Sequence, residues 1–504
     1  MKGPTKFYIQ TILPIHIGCD DVYEPTGFAI DEEAQQMVVF DPVSFISQLE
    51  DPDKQEFSNI CAKGTIASIL EVYKFLRNRP VNGRAVDVCH GFMGHYQKTL
   101  DISLHDEKKI RQELNSFAIP RTAFRSVDQR PYIPGSAVKG ALRTAYLNLM
   151  ESEKKLSEMG KERNARNLEQ HLMEYDGIPT DPFRMVKVSD FKPVGEIRTR
   201  IIYAINLKKK PSDRDARGVP LIFEVVPPGT LFEGTITVES PPQGSGILKH
   251  ISLENLLKSS MLFYMKEKER ENKELRGIGI EVIPVSGQAK DREVSSLLRL
   301  GRHSGAESVT VEGHRDIFIM GKKGERKQYL NRTTTIWLSS ESRNQGSKNS
   351  LQPFGWVQLG RVTDAVSEEF QIKEKEWREK EDEHREMRQA EIERQSELIR
   401  QANEEAKKIE IETEERRKEE ERKKAELEAM SPEERDVVAL NDSGITEQKV
   451  IEIFNRIDSF SEENKKHAAL SLRTYWETRA KWKKKDCSKK QWAKVQKIKE
   501  ILGD

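Results

Sequence analysis

The mostly apolar run 6–17, KFYIQTILPIHI, rich in β-branched and aromatic side chains, predicts a strand, with Pro14 marking a bulge or edge position. After a turn-rich stretch, Phe28, Ala29 and Ile30 with residues 37–40 predict a short hairpin, and a helix starts at Pro42 behind Asp41. Residues 60–77 carry apolar side chains at helical period across Gly64, whereas 84–89 fit either strand or helix. An extended entry over 117–133 leads to a helix from Ser136 that ends near Glu151 or runs into a charged insertion reaching Glu174. Strands follow at 186–188 and 197–207, and residues 219–226 and 231–238 predict a strand pair around the turn Pro227-Pro228-Gly229. An amphipathic helix over 251–275, loop and strand at 277–285, and a helix at 290–300 complete this part. Strands alternating with helices, with hairpins between them, imply an α+β fold.

The pattern then changes. Residues 361–431 hold no glycine or proline, and between Glu368 and Met430 there are 23 acidic and 16 basic residues in 63. Ile392, Ile399 and Ala406 recur at seven-residue spacing over only two or three heptads, too short a seam for a coiled coil. Opposite charges four apart, such as Glu412 and Arg416, favour one long solvated helix, about 90–100 Å at 1.5 Å per residue. Disorder is the competing reading. Ser431-Pro432-Glu433-Glu434 restarts structure as a capping box, and a small helical domain follows. Its last 29 residues hold 10 basic and 4 acidic side chains, interleaved with Trp476, Trp482 and Trp492. This composition suits a nucleic-acid or acidic-partner surface, or a small tryptophan core with a solvated basic face. The expected division is therefore 1–365, 366–430 and 431–504.

Composition narrows the class. A chain of 504 residues has room for two or three domains, and a formal net charge of +1 gives no global attraction to polyanions. Cys19, Cys61, Cys89 and Cys487 are widely spaced, without a C-x-x-C, which argues against a disulfide framework and the common zinc modules. No secretory signal and no apolar run of 18 residues is visible, so a reduced, cytoplasmic setting is expected, with no membrane partner. Cys89, His90, His95 and His105 match no metal-ligand spacing, and no cofactor or metal is expected.

The chemistry concentrates in residues 130–150, RPYIPGSAVKGALRTAYLNLM. Pro134-Gly135-Ser136 reads as a tight turn, Ser136 as an N-cap, and Lys139 and Arg143 lie four apart near the positive end of the helix. Gly135 and Gly140 leave room for an approaching backbone. Such a place suits a phosphate or a row of them, although solvated lysine and arginine on an ordinary strand–turn–helix junction give the same pattern. The G-x-x-x-x-G-K-[ST] spacing of a nucleotide-binding loop is absent.

IPGSAVKGALRTA resembles the I-P-G-S-x-x-K-G-x-[LF]-R signature of RAMP proteins, RNA-binding subunits of CRISPR effector complexes. TILPIHIGCDDVYEP, DPFRMVKVSD, LRLGRHSG and PFGWVQL recur in the order seen in one branch, the fifth, filament-capping subunit of type III-A (Csm) complexes. The resemblance spans residues 7–360, about seven-tenths of the chain, and does not extend to the C-terminal helices. It implies a ferredoxin-like (RRM-like) core and a non-catalytic subunit that holds the 3′ part of the crRNA and supports its maturation. The implied partners are the crRNA, target RNA through the duplex, the backbone RAMP subunit, the small subunit and recruited host nucleases. Implied RNA contacts are His16, Gly18, Gly135, Ser136, Lys139, Gly140, Arg143, Arg198, Arg200, Arg299, Gly301 and Arg302. Lys208, Lys209, Lys210, Arg214 and Arg217 would line a thumb loop against the guide–target duplex. His303 stands where relatives tend to carry a small residue.

Two alternatives remain at this level. A RAMP endoribonuclease would use His16 as general base or Asp31 in a metal-assisted site, with Asp20 and Asp21 nearby. An interaction protein would be built around the charged helix.

Overall fold

In the computed structural model, the described residues are 5–77, 79, 81, 83–159, 164–210, 216, 218–284, 296–319, 328–344 and 348–504. They form two compact units, 1–393 and 394–504.

Two sheets organise the first unit. The first runs in the order Ser296–Arg299, Trp356–Arg361, Thr5–Thr11, Leu231–Val238, Val186–Val188, with every neighbour antiparallel. Alternation along Thr5–Thr11 sends Phe7 and Ile9 to one face and Lys6, Tyr8 and Gln10 to the other. Helices Gly135–Lys154 and Leu253–Gly277 cover the Phe7 face, where Val138, Leu142, Ala145 and Tyr264 meet Phe232, Ile236, Trp356 and Leu359. Each fully buried Phe or Ile there contributes about 2 kcal/mol.

The second sheet runs Gln352–Pro353, Thr335–Ser340, Arg200–Lys208, Arg84–Val88, Gln36–Val39, Phe28–Asp31, with Leu221–Val225 also on Arg200–Lys208. Helices Ile66–Leu76 and His90–Leu100 pack on it through Leu70, Tyr73, Phe92 and Tyr96.

Several expectations are corrected. The 60–77 helix is two helices, Asp51–Ala62 and Ile66–Leu76, because Gly64 takes φ +59° between them. Strands Leu221–Val225 and Leu231–Val238 do not pair with each other. Pro227-Pro228-Gly229 carries the chain from the second sheet to the first, held by Thr11, whose hydroxyl donates to Pro227 O (2.7 Å) and whose carbonyl accepts from Gly229 N (2.7 Å). Of the helix expected over 290–300, residues 290–295 lie outside the described residues. Ser296–Arg299 is a strand, buried along its whole length. Residues 281–284 form no strand.

The charged stretch is one helix, Asp364–Ala429. Its first turns belong to the first unit, and from Asp382 to Ala429 nearly every described side chain is exposed. The second unit then packs helices Pro432–Leu440, Glu447–Arg456, Glu462–Thr478 and Lys489–Leu502 around Val450, Ile453, Leu472, Trp476, Val495 and Ile498. The Ser431 hydroxyl accepts from Glu434 N (3.3 Å), and Glu434 accepts from Ser431 N (2.7 Å), which is the expected capping box. Trp476 is buried and Trp482 and Trp492 are half-buried against this core, so the tryptophans fill it and the lysines form its solvated face. Among the described residues, no helix is long and apolar enough to cross a membrane.

Candidate nucleic-acid interface

The motif turn is built on glycine. A Cβ on Gly135 would lie 2.5 Å from Val188 O and 2.7 Å from Ser189 O, so only glycine lets the helix start this close to the strand. The helix begins at Gly135, with Pro134 at the cap position and no side-chain cap. Ser136 is therefore an exposed first-turn residue rather than the N-cap. Asp190 replaces it, with Oδ1 accepting from Gly135 N at 2.8 Å. Lys139 is half-buried and has no ion-pair partner among the described residues, and Gly140 is exposed with open space beside it. Burial, then repulsion from Lys187 and Arg143, lowers the Lys139 pKa from its ordinary value. A phosphate placed here would supply the opposite charge that offsets both. Arg143 is committed elsewhere: it donates to Glu169 (2.6 and 2.9 Å), Asp181 (2.9 Å) and Tyr175 OH (3.3 Å).

Three separated motifs meet at a second turn. Arg302 N donates to His16 O (2.8 Å), Leu300 N to Gly355 O (2.8 Å), and Gly355 N to Pro14 O (3.0 Å). Gly301 has φ +81°, and a Cβ there would sit 2.4 Å from His16 O. Gly18 and Arg302 are exposed at this junction, and Arg302 has no ion-pair partner among the described residues.

The RAMP superfamily model matches residues 8–278, more than half of the chain. The chain belongs to the RAMP superfamily. Within it, the chain is 29% identical over 246 residues to CRISPR system Cms protein Csm5 of Methanocaldococcus jannaschii, covering 46% of this chain and 51% of that protein. The match thus spans about half of the relative's length. Csm5 of Streptococcus thermophilus is 26% identical over 280 residues, 51% of this chain and 69% of that protein. A chain in the cryo-EM structure of a type III-A Csm–crRNA–target RNA ternary complex aligns over 70% of this chain and all of its own length, at 17% identity and TM-score 0.44.

The remaining expected contacts of this RAMP chain divide by their partners. Arg299 is a core residue, not a surface contact: it is 3% exposed, pairs with Glu271 at 2.6 Å, and donates to Phe354 O at 3.0 Å. Arg200 is bidentate to Glu341 (2.8 Å twice), and Arg198 is exposed beside Glu196 at 2.9 Å. Lys209, at the start of the stretch expected as a thumb loop, pairs with Glu307 (2.8 Å) and Glu274 (2.9 Å). Burial opposes ionisation of Glu307, yet Lys209 and Arg270 bring its carboxyl down to about 2. Arg214 lies outside the described residues, as does Arg217.

The two catalytic candidates are engaged in structural bonds. His16 is 1% exposed, with Nδ1 bonded to Glu224 O at 2.7 Å and its ring tilted on Phe223, and burial lowers its pKa. An RNA hydroxyl has no access to it, and the same burial removes its side chain from the set of RNA contacts. Asp31 caps its own turn, accepting from Ala34 N at 2.8 Å. Among the described residues, no group of three or more His, Cys, Asp or Glu is placed to hold a metal. Lys187 and Asp190, both within DPFRMVKVSD, were not singled out by sequence reasoning. Their position two and five residues after a buried turn gives no signal without knowing that this strand abuts the motif helix.

Proposed function

We propose that the chain is a non-catalytic guide-RNA-binding subunit of a type III-A CRISPR ribonucleoprotein. It caps the backbone filament at the 3′ end of the crRNA and supports crRNA maturation, in the cytoplasm. The observation that carries this reading is the contrast among the motif cations. Arg143, Arg200 and Arg299 are neutralised internally, whereas Lys139, in the helix that Gly135 starts, and Arg302, beside Gly301, have no ion-pair partner among the described residues of a RAMP chain similar to Csm5. The connectivity Thr5–Thr11, helix, Val186–Val188, Leu231–Val238, helix, with Trp356–Arg361 beside Thr5–Thr11, supports a ferredoxin-like unit as the platform. Lys139 and Arg302 seat backbone phosphates, and sequence discrimination is left to pairing between guide and target. The backbone RAMP subunit and the small subunit are the expected neighbours, target RNA is met through the duplex, and host nucleases trim the guide.

The test is to express the chain with those subunits, isolate the complex and sequence its RNA, in wild type and in Lys139→Glu/Arg302→Glu. Guide-length RNA in wild type that is lost or shortened at its 3′ end in the variant supports the reading. Unchanged RNA in the variant overturns it. Arg143→Glu is unsuited to this test, because it would break the Glu169–Asp181 cluster and unsettle the fold itself.

A further inference from the structure

The first turns of the long helix are docked, not free. Phe370 is 5% exposed and meets the Tyr8 ring edge-on at 6.1 Å. Glu374 takes both Arg130 Nη atoms (2.9 and 3.0 Å) and accepts from Gly195 N (3.1 Å), while the Arg130 guanidinium lies 3.4 Å over the Trp377 ring. Phe370, Glu374 and Trp377 share the i, i+4, i+7 stripe that faces the sheet. Arg130 opens the extended segment that runs into Gly135, with isolated bridges Phe124–Pro131 and Ile133–Phe191, so the helix is tied to the segment that positions Gly135.

This docking creates a groove of about 930 Å³. One wall is the neighbouring helix stripe, Gln371, Lys375 and Arg378, and the other is Ser189, Asp190 and Lys192. The groove lining has six basic and three acidic side chains, and each acid already has an internal partner: Asp190 the Gly135 amide, Glu233 Lys6, and Glu374 Arg130. Lys192 is exposed without an ion-pair partner among the described residues; Lys375 and Arg378, 77% and 70% exposed, hold only loose pairs along their own helix, to Glu379 and Glu374 (3.7 Å each), which a phosphate can displace. The groove adjoins the motif turn, since Ser189 and Asp190 are the residues that touch Gly135.

We propose that this groove binds the sugar–phosphate backbone of single-stranded RNA, with Lys192, Lys375 and Arg378 as phosphate contacts supplied from both walls. The proposal rests on the RNA-binding reading above and extends it to the charged helix. No aromatic ring is exposed for base stacking on the helix stripe, since Phe370 is buried and Trp377 is covered by Arg130. The contact is therefore with phosphates and indifferent to base sequence.

The experiment measures binding of a fluorescein-labelled oligouridylate to the full chain by anisotropy across a salt series. Lys375→Glu/Arg378→Glu is compared with wild type, with Lys139→Glu/Arg302→Glu, and with Lys407→Glu/Lys408→Glu as an equal charge change on exposed helix. The groove variant is expected to weaken binding about tenfold and lower the salt dependence by about two phosphates, while the Lys407/Lys408 control stays within about twofold of wild type. Crosslinking of 4-thiouridine RNA to the 371–378 peptide is the second expected result. If Lys139→Glu/Arg302→Glu weakens binding while the groove variant and control match wild type, the groove is overturned and the motif reading stands. If wild type binds no RNA, both fall. Equal losses in groove variant and control would assign the effect to net charge and overturn the groove.

Discussion

Arg130→Ala should release the start of the long helix from the sheet. Arg130 is 7% exposed, and its removal deletes two bonds to Glu374, one to Gly195 O (3.1 Å) and the stack on Trp377. Breaking a buried pair by truncating one partner costs about 3–5 kcal/mol. The Glu374 side chain is 24% exposed, so water recovers part of this, and about 2–3 kcal/mol is the expected loss. What remains is the Phe370 contact, about 2 kcal/mol of apolar burial, the Gly195 N bond to Glu374 (3.1 Å), about 1 kcal/mol, and an exposed Lys380–Glu196 pair at 3.3 Å worth under about 1 kcal/mol. The local opening equilibrium should therefore shift by about 30- to 150-fold, since 1.4 kcal/mol is about a factor of ten. Hydrogen exchange followed by mass spectrometry reads this directly in peptides spanning 366–380 and 190–197. Arg130→Lys keeps the charge but not the two-pronged geometry and should recover less than half of the protection. A double-mutant cycle with Glu374→Ala should return a coupling of about 1.5 kcal/mol or more. Unchanged exchange in 366–380, or a coupling near zero, would refute the claim that this pair holds the helix down.

Arg299→Ala should cost about 3 kcal/mol in urea denaturation, because it leaves Glu271, which is 1% exposed, with only Lys268 at 3.7 Å and the bond from Trp356 Nε1 (2.6 Å). An unchanged midpoint would sink this. Gly301→Ala combines a positive φ with a 2.4 Å approach to His16 O, so a loss of about 2 kcal/mol or more and a lower Tm are expected, whereas Gly140→Ala, in open space, should be neutral or slightly stabilising. His303 is held to about 4 by burial and by Arg302, so between pH 6.5 and 4 the unfolded chain takes up the proton first. Stability from this group is complete above about pH 6.5 and falls by at most about 1 kcal/mol per unit towards pH 4, a slope that His303→Asn should flatten in urea titrations at pH 7 and pH 5.

Local signals were readable and distant ones were not. The capping box at Ser431 and the hairpin of Phe28–Asp31 with Gln36–Val39 depend on residues a few positions apart, and both stand where the pattern put them. Pro227-Pro228-Gly229 announces a bend but not which sheet receives each arm, so two strands of different sheets looked like one hairpin. Ser296–Arg299 is buried on both faces and so lacks alternation, which made it indistinguishable from a helix segment. The same limit governs the cations. Arg143 and Lys139 share one helix face, and only the fold shows that Glu169 and Asp181 claim the first and leave the second. Arg299 meets Glu271 from a different element, which no spacing rule connects.

The N-terminal strand sits inside its sheet, with Thr5 registered against Ile236 and Phe7 against Arg361. During synthesis it emerges before either neighbour: its first partner follows more than two hundred residues later and its second more than three hundred. Until then both of its edges offer unpaired backbone groups to any other extended chain. Such long-range pairing slows folding and prolongs exposure to aggregation. The last strand to emerge, Trp356–Arg361, closes one side of Thr5–Thr11 and leads directly into the helix that seats Phe370 on Tyr8. A chain interrupted before residue 356 therefore leaves this sheet open in its middle, and the first unit matures as a whole at the end of its translation rather than piece by piece.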